Sequence, residues 1–83
     1  MTEANNSFED IVFPQYRMYI NGKSYFKILS LDFFEEKYFV GKRLMKRDFL
    51  AAQYPDKLFI RDLLLNYQGM AVEISASEYN SKV

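Results

Sequence analysis

The chain has 83 residues, 11 basic and 11 acidic side chains, and neither histidine nor cysteine. The length fits a single domain. The two missing residue types argue against zinc, haem and iron–sulfur sites, against Ser-His and Cys-His nucleophiles and against disulfides. A net charge of zero does not favour a dedicated nucleic-acid binder, which usually has a basic excess. It mildly favours self-association because it provides little repulsion between copies.

Aromatic side chains must supply much of the core, because no disulfide or metal is expected to help. The 8 Phe and 7 Tyr make up 18% of the chain. Each buried ring removes about 150–250 Å² from water, and so small a domain needs an efficient core. Seven Tyr also suggest rings that are half-buried at the rim of the core or lie on a contact surface.

The N-terminal segment is predicted to contribute little to the fold. Residues 1–7 lack large apolar side chains and are predicted to be a disordered tail, followed by one α+β domain over residues 8–83. The first ten residues lack the basic start and apolar stretch of a signal peptide. No apolar run approaches the ~18–20 residues that a membrane span needs. We therefore expect a cytoplasmic location and no membrane contact.

A hairpin is the first element along the chain. Asn21-Gly22 separates two strand-like runs, 15–20 and 23–29, and Asn-Gly is a strong hairpin signal. A two-residue loop would place Tyr16 and Met18 on the same face of the hairpin as Lys23 and Lys27. A three-residue loop that includes Ile20, with Gly22 left-handed, gives one apolar and one polar face, which antiparallel sheets favour.

The three-residue loop is therefore the preferred prediction. It places Tyr16, Met18, Phe26 and Ile28 on the apolar face. The outer face of the hairpin then carries Arg17, Tyr19, Lys23, Tyr25 and Lys27. Aromatics interleaved with cations are typical of ordinary sheet surface, of a protein-binding face and of a base-stacking platform.

Residues 33–50 admit two interpretations. As a helix they would have Ser30 as N-cap and Gly41 as the stop. As a hairpin they would turn at 40–42. This turn gives a strand register in which Glu36 lies beside Lys46 and Glu35 lies beside Arg47. The same register sets Tyr38 beside Leu44 and Phe33 beside Phe49. The hairpin is favoured because it extends the first hairpin into a meander.

The C-terminal third predicts a helix, a strand and a terminal turn. Pro55 and Gly69 bracket a helix at 56–67, a strand follows at 70–74, and Ser75 with Glu78 suggests a capping box. The predicted fold is a small antiparallel β-meander of four to five strands packed against one amphipathic helix. Its predicted core contains Tyr16, Met18, Phe26, Ile28, Phe59 and Leu63.

No catalytic motif, cofactor site or metal site is predicted. Glu35 and Glu36 diverge on a strand or a helix, so they do not form a facing acid pair. The segment from Lys37 to Arg47 has five positive charges and no negative charge. The leading hypothesis is a non-enzymatic protein-interaction module, either a regulatory or adaptor subunit or a homodimer. The candidate partner-binding residues are Arg17, Tyr19, Lys23, Tyr25, Lys27, Arg43 and Arg47.

The alternative hypothesis is a weak binder of single-stranded nucleic acid. It would use Arg17, Tyr19, Tyr25 and Lys27, together with Arg43 and Arg47. A protein partner, or a second copy of the chain, is preferred because the net charge is zero.

Overall fold

A computed structural model describes residues 11–65 and 69–82 of the chain. These residues form a five-stranded antiparallel sheet and two helices, so the α+β prediction is confirmed. In chain order the elements are β1 (Gln15–Tyr19), β2 (Ser24–Ser30), β3 (Phe33–Val40), β4 (Arg43–Leu50), α1 (Tyr54–Leu65), β5 (Ala71–Glu73) and α2 (Ala76–Asn80). The predicted tail at 1–7 lies outside the described residues. No helix among those described is long and apolar enough to cross a membrane.

The strands lie in the order β4-β3-β2-β1-β5. The first four form the predicted meander, and β5 returns after α1 to pair with β1. Side chains alternate between the two faces of a sheet. One face packs against α1, and the opposite face packs against α2 through Tyr79. We call these the α1 face and the α2 face.

The helix and strand predictions in the C-terminal third are confirmed, with shifted ends. The main helix begins at Tyr54 and includes Pro55 in its first turn, where the missing N–H of proline is tolerated. The final strand is shorter than predicted, and the predicted helix end at 66–67 lies outside the described residues. The N-cap half of the predicted capping box is confirmed, because the Ser75 hydroxyl accepts a hydrogen bond from the Glu78 N–H at 3.0 Å.

Residues 33–50 form a hairpin, as preferred, but its predicted register is wrong by one residue. Val40 faces Arg43 across a two-residue loop, and Gly41 has a φ of 62° in that loop. Positive φ in a two-residue loop matches the twist of the flanking strands. Glu36 therefore faces Arg47, and Glu35 faces Asp48.

The register of the first hairpin is also wrong by one residue. Arg17 faces Phe26, which is the register that a two-residue Asn21-Gly22 loop would give. The strands separate early, so residues 20–23 connect them. The Gly22 N–H donates to the Tyr19 carbonyl at 2.8 Å, and its φ of 73° confirms the predicted left-handed conformation.

A slip of one residue exchanges the two faces of a strand, and this is the consequence here. Tyr16 and Met18 lie on the α2 face, opposite Phe26 and Ile28, so the predicted apolar face is wrong. Arg17 lies on the α1 face instead. The apolar alternation of β1 was misleading because a helix packs on each face of the sheet. Apolar side chains of β1 can therefore be buried on either face.

The core lies between the sheet and α1. The prediction is confirmed for Phe26, Ile28 and Leu63, which are buried together. Phe59 is half-buried, with its ring centroid 6.0 Å from that of Phe26 and 5.7 Å from that of Phe34. Buried members of the core cluster are Phe26, Ile28, Phe34, Ala51, Ile60, Leu63, Leu64 and Ala71.

Gly22→Val should lower the free energy of unfolding by about 1–2 kcal/mol, because a β-branched residue resists positive φ. A Cβ at this position would meet no atom within 4 Å, so the cost comes from the backbone and not from crowding. Gly22→Asn should cost less, because Asn tolerates the left-handed region. Urea denaturation measures both variants. Equal losses for Val and Asn would contradict this explanation.

Candidate functional site

The seven residues predicted as a partner-binding face do not share a face. Arg17, Tyr19 and Arg47 lie on the α1 face, while Tyr25 and Lys27 lie on the α2 face. Lys23 lies in the connection between β1 and β2, and Arg43 begins β4 beside a hairpin loop. The predicted five-residue face of the first hairpin is therefore wrong, because it depended on the three-residue loop.

Arg17 anchors α1 to the sheet. Its side chain is buried, with 8% of the residue exposed. The Nε and Nη2 groups donate to the carbonyls of Leu63 and Leu64 at 3.1 and 3.2 Å. The last turn of α1 has no basic residue of its own, so Arg17 supplies the positive charge that a helix C-terminus favours. Burial lowers the pKa of the guanidinium, and nearby Glu73 partly opposes this effect.

The two tyrosines of the predicted stacking platform are separated and already packed. The Tyr19 ring meets Phe26 edge to face at 5.0 Å. Burial raises the pKa of the Tyr19 hydroxyl, and Glu36 raises it further. Tyr25 is buried on the opposite face, with Lys82 Nζ 5.2 Å from its ring centroid. The two rings lie on opposite faces of the sheet, so they do not form one stacking platform.

A polar cluster on the α2 face fixes α2 to the sheet, and the sequence analysis missed it. Tyr79 is 1% exposed, and its hydroxyl donates to Glu35 Oε1 at 2.9 Å. Lys46 Nζ lies 3.3 Å from Glu35 Oε2. Lys37 Nζ donates to the carbonyls of Tyr79 and Lys82 at 3.1 and 2.9 Å. The capping box predicted this helix but carried no signal for the face it covers.

The cluster perturbs the ionisation of both partners in the Tyr79–Glu35 hydrogen bond. Desolvation raises the pKa of Glu35, but the Tyr79 hydroxyl and Lys46 outweigh it and hold that pKa below its ordinary value. The pKa of Tyr79 is strongly raised, first by burial and then by the adjacent carboxylate. Glu35 is therefore an ion-paired carboxylate that holds α2 against the sheet.

Glu36 lies on the other face and is also paired. Arg47 Nη2 lies 2.9 Å from Glu36 Oε1, and its guanidinium carbon lies 4.8 Å from the Tyr38 ring centroid. Arg47 thus bends back over β3. The divergence of Glu35 and Glu36 agrees with the sequence prediction. Among the described residues, no group of three or more acidic side chains could hold a metal ion.

The basic segment from Lys37 to Arg47 is largely neutralised. Lys37 binds carbonyls near α2, and Lys46 and Arg47 bind the two glutamates. Lys42 and Arg43 remain exposed at the hairpin end, and neither has an ion pair within the described part of the chain. The segment therefore offers two free cations in place of the five that the sequence suggested.

The surface left open is the outer edge of β4. In the described sheet, β4 pairs only with β3, whereas β5 at the opposite edge has three residues. The Ala51 N–H donates to the Asp32 carbonyl. Because backbone groups alternate between the two sides of an antiparallel strand, residues 44, 46, 48 and 50 direct theirs away from β3. We call this unpaired side of residues 44–50 the β4 edge.

Apolar side chains flank the β4 edge at both ends. Leu50 is 68% exposed, and Leu44 is half-buried beside Phe39, which faces it from β3. Lys46 and Asp48 lie between the two leucines on the same face. The edge thus combines unpaired backbone groups, two apolar ends and a central pair of opposite charges.

No protein-family model, curated protein or solved structure matches the chain.

Arg17→Met should lower the free energy of unfolding by about 2–3 kcal/mol, because hydrogen bonds to a charged donor are lost and buried carbonyls remain unpaired. Arg17→Lys should recover part of the loss by keeping the charge near the helix end. Lys23→Met, an exposed cation in the neighbouring connection, is the control and should change stability by less than about 0.5 kcal/mol. Urea denaturation compares the three. Equal effects at 17 and 23 would contradict the anchoring role.

The Glu35 cluster should make stability depend on pH. The folded-state pKa of Glu35 lies below its ordinary value of 4.5, so its contribution is present at neutral pH and is lost as pH falls through the folded pKa. The stability difference between wild type and Glu35→Gln should therefore shrink between pH 7 and pH 3. Tyr79→Phe should weaken this pH dependence without abolishing it, because Lys46 remains. A wild-type minus Glu35→Gln difference that stays constant with pH would contradict the assignment.

Proposed function

We propose that the chain is a non-enzymatic protein-interaction module that binds its partner through the β4 edge. The observation that carries the proposal is an eight-residue edge strand whose outward backbone groups have no partner within the described residues. Such an edge is a template for an added strand, in which main-chain hydrogen bonds provide affinity and alternate side chains provide specificity. The role fits a regulatory or adaptor subunit.

Lysine and arginine on an edge strand normally deter strand addition. Here Lys46 and Arg47, the two central cations of β4, form ion pairs within their own chain. Lys46 is tied to Glu35 at 3.3 Å, and Arg47 is tied to Glu36 at 2.9 Å. With these charges neutralised, the edge presents its backbone and its apolar ends to a partner.

The other surfaces of the described domain support the choice of the β4 edge as the partner-binding surface. α1 covers one face of the sheet, and α2 packs on the opposite face. The adjacent carboxylates Glu35 and Glu36 are both ion-paired, which supports a non-enzymatic role. The nucleic-acid alternative gains no support, because Tyr19 and Tyr25 are packed and three of the five clustered cations are engaged. The proposal keeps the cytoplasmic location expected from composition.

Site-specific photo-crosslinking tests the proposal. A photoreactive amino acid at Leu50, at one end of the β4 edge, should form protein adducts in a lysate of the source cells. The same amino acid at Ile20, which is similarly exposed (65%) but near the β1–β5 side of the sheet, is the control position. Lys46→Pro should abolish the Leu50 adducts by removing an outward N–H, whereas Lys46→Thr should retain them.

Three results would count against the proposal. Adducts that form equally at positions 20 and 50 would show no preference for the edge. Adducts that survive Lys46→Pro would show that the outward backbone is not used. Adducts that disappear after nuclease treatment would favour the nucleic-acid alternative. A thermal melt establishes that Lys46→Pro and Lys46→Thr are folded before either is compared.

A further inference from the structure

We propose that the β4 edge binds a second copy of this chain, with the two β4 strands antiparallel about a twofold axis at Arg47. The inference rests on the proposed function and adds to it the identity and register of the partner. Pairing in this way would join two five-stranded sheets into one continuous sheet. It would also remove the longer unpaired edge of the described sheet.

The first support is the symmetry of the strand itself. Reading outward from Arg47, Lys46 is matched by Asp48, Met45 by Phe49 and Leu44 by Leu50. A twofold interface brings each residue opposite its counterpart in the other copy, because both copies present the same surface. The sequence of β4 thus pairs apolar with apolar and basic with acidic residues in this register.

The second support is the direction of the backbone groups. Residues 44, 46, 48 and 50 direct their N–H and C=O groups away from β3. An axis at Arg47 sets Lys46 opposite Asp48 of the second copy and Leu44 opposite Leu50 of the second copy. All four of these positions have outward groups, so they form hydrogen-bonded pairs.

The third support is electrostatic. Within one chain, Asp48 faces Glu35 across the β3–β4 pair, and like charges directly opposite each other are destabilising. In the described part of the chain Asp48 has no ion pair, because Lys46 is turned to Glu35. Lys46 of the second copy would lie opposite Asp48 in this register, so its ammonium, already paired with Glu35 of its own chain, would bridge the two carboxylates, and the twofold axis makes this contact twice.

The fourth support is the continuity of the apolar rows. On the α2 face, Leu50 of one copy would lie between Phe33 of its own chain and Leu44 of the second copy. Burying Leu50 would account for an exposure of 68% in the single chain. On the α1 face, Met45 of the second copy would cover the outer side of Phe49, whose ring already stacks on Phe34 at 5.1 Å. Methionine sulfur makes favourable contacts with aromatic rings.

The axis sets Arg47 of one copy opposite Arg47 of the second copy, and the ion pairs within each chain reduce the repulsion between these two like charges. Each guanidinium is already ion-paired with Glu36 at 2.9 Å and lies over Tyr38, so both charges are drawn away from the axis. Moving the axis by one residue is worse. An axis at position 46 would set Leu44 opposite Asp48 of the second copy, and an axis at position 48 would set Lys46 opposite Leu50 of the second copy. Each would lose the Lys46–Asp48 pair and place a charged side chain against an apolar one.

Charge reversal across the interface tests both partner and register. Sedimentation velocity of the purified wild type over a concentration series should give a species of about twice 9.9 kDa. Asp48→Lys should weaken the dimer about tenfold or more, because both symmetry-related pairs become repulsive. The same change should not weaken the fold, since it sets a lysine opposite Glu35. Lys46→Asp should weaken the dimer similarly.

Complementation is the decisive arm. In an equimolar mixture of Asp48→Lys and Lys46→Asp chains, both pairs across the axis are again of opposite charge, so a heterodimer should form. The double variant K46D/D48K should also dimerise alone. A wild type that stays monomeric, an Asp48→Lys chain that dimerises fully, or a mixture that stays monomeric would each overturn the inference.

Failure of this inference can be told apart from failure of the proposed function. A monomeric wild type that still gives Leu50-specific adducts sensitive to Lys46→Pro would retain the interaction module with a different protein partner. A monomeric wild type without such adducts would remove both. A dimer that persists in Asp48→Lys would place the self-contact on another surface.

Discussion

The buried contact between Arg17 and the end of α1 is the constraint on which the rest of the structure depends. A guanidinium is costly to bury unless its donors are satisfied. Here the carbonyls of Leu63 and Leu64 at the helix end satisfy it. The contact requires Arg17 to face α1, and Phe26, its partner across the β1–β2 pair, must face α1 too. The register of the first hairpin and the position of the helix are thus determined together.

That register explains why the sheet needs a second helix. With Arg17 on the α1 face, Tyr16 and Met18 lie on the opposite face, where water would meet them without α2. Tyr79 packs against Tyr16 with ring centroids 5.4 Å apart and anchors its hydroxyl on Glu35. With α1 on one face and α2 on the other, the unpaired backbone groups of the described sheet lie at its edges. The edges differ in length, since β4 has eight residues and β5 has three.

Local signals in the sequence identified the elements, and only tertiary contacts could identify the faces. Gly22 and Gly41 marked the two hairpins correctly, and Ser75 marked the start of α2, because turn and cap chemistry depends on nearby residues. The strand register depends instead on which elements pack against each face of the sheet. The apolar alternation of β1 fits a covered face on either side, so the sequence could not distinguish the two registers. The β4 edge was missed for a related reason, since the sequence indicates which charges can pair within the hairpin but not which strand lies at the edge of the sheet.

The charges along β4 are unfavourable in a single chain and would be favourable in a dimer. Inside one chain, Asp48 beside Glu35 is unfavourable, and a basic residue there would pair with that glutamate. The tyrosine hydroxyl and Lys46 already satisfy Glu35, which leaves Asp48 as the acceptor without a cation in the described part of the chain. A basic residue flanked by apolar residues, on a strand added beyond the edge, would supply one. Residues 44–50 of the chain itself have that pattern, so the feature that weakens the isolated strand is the one that selects its partner.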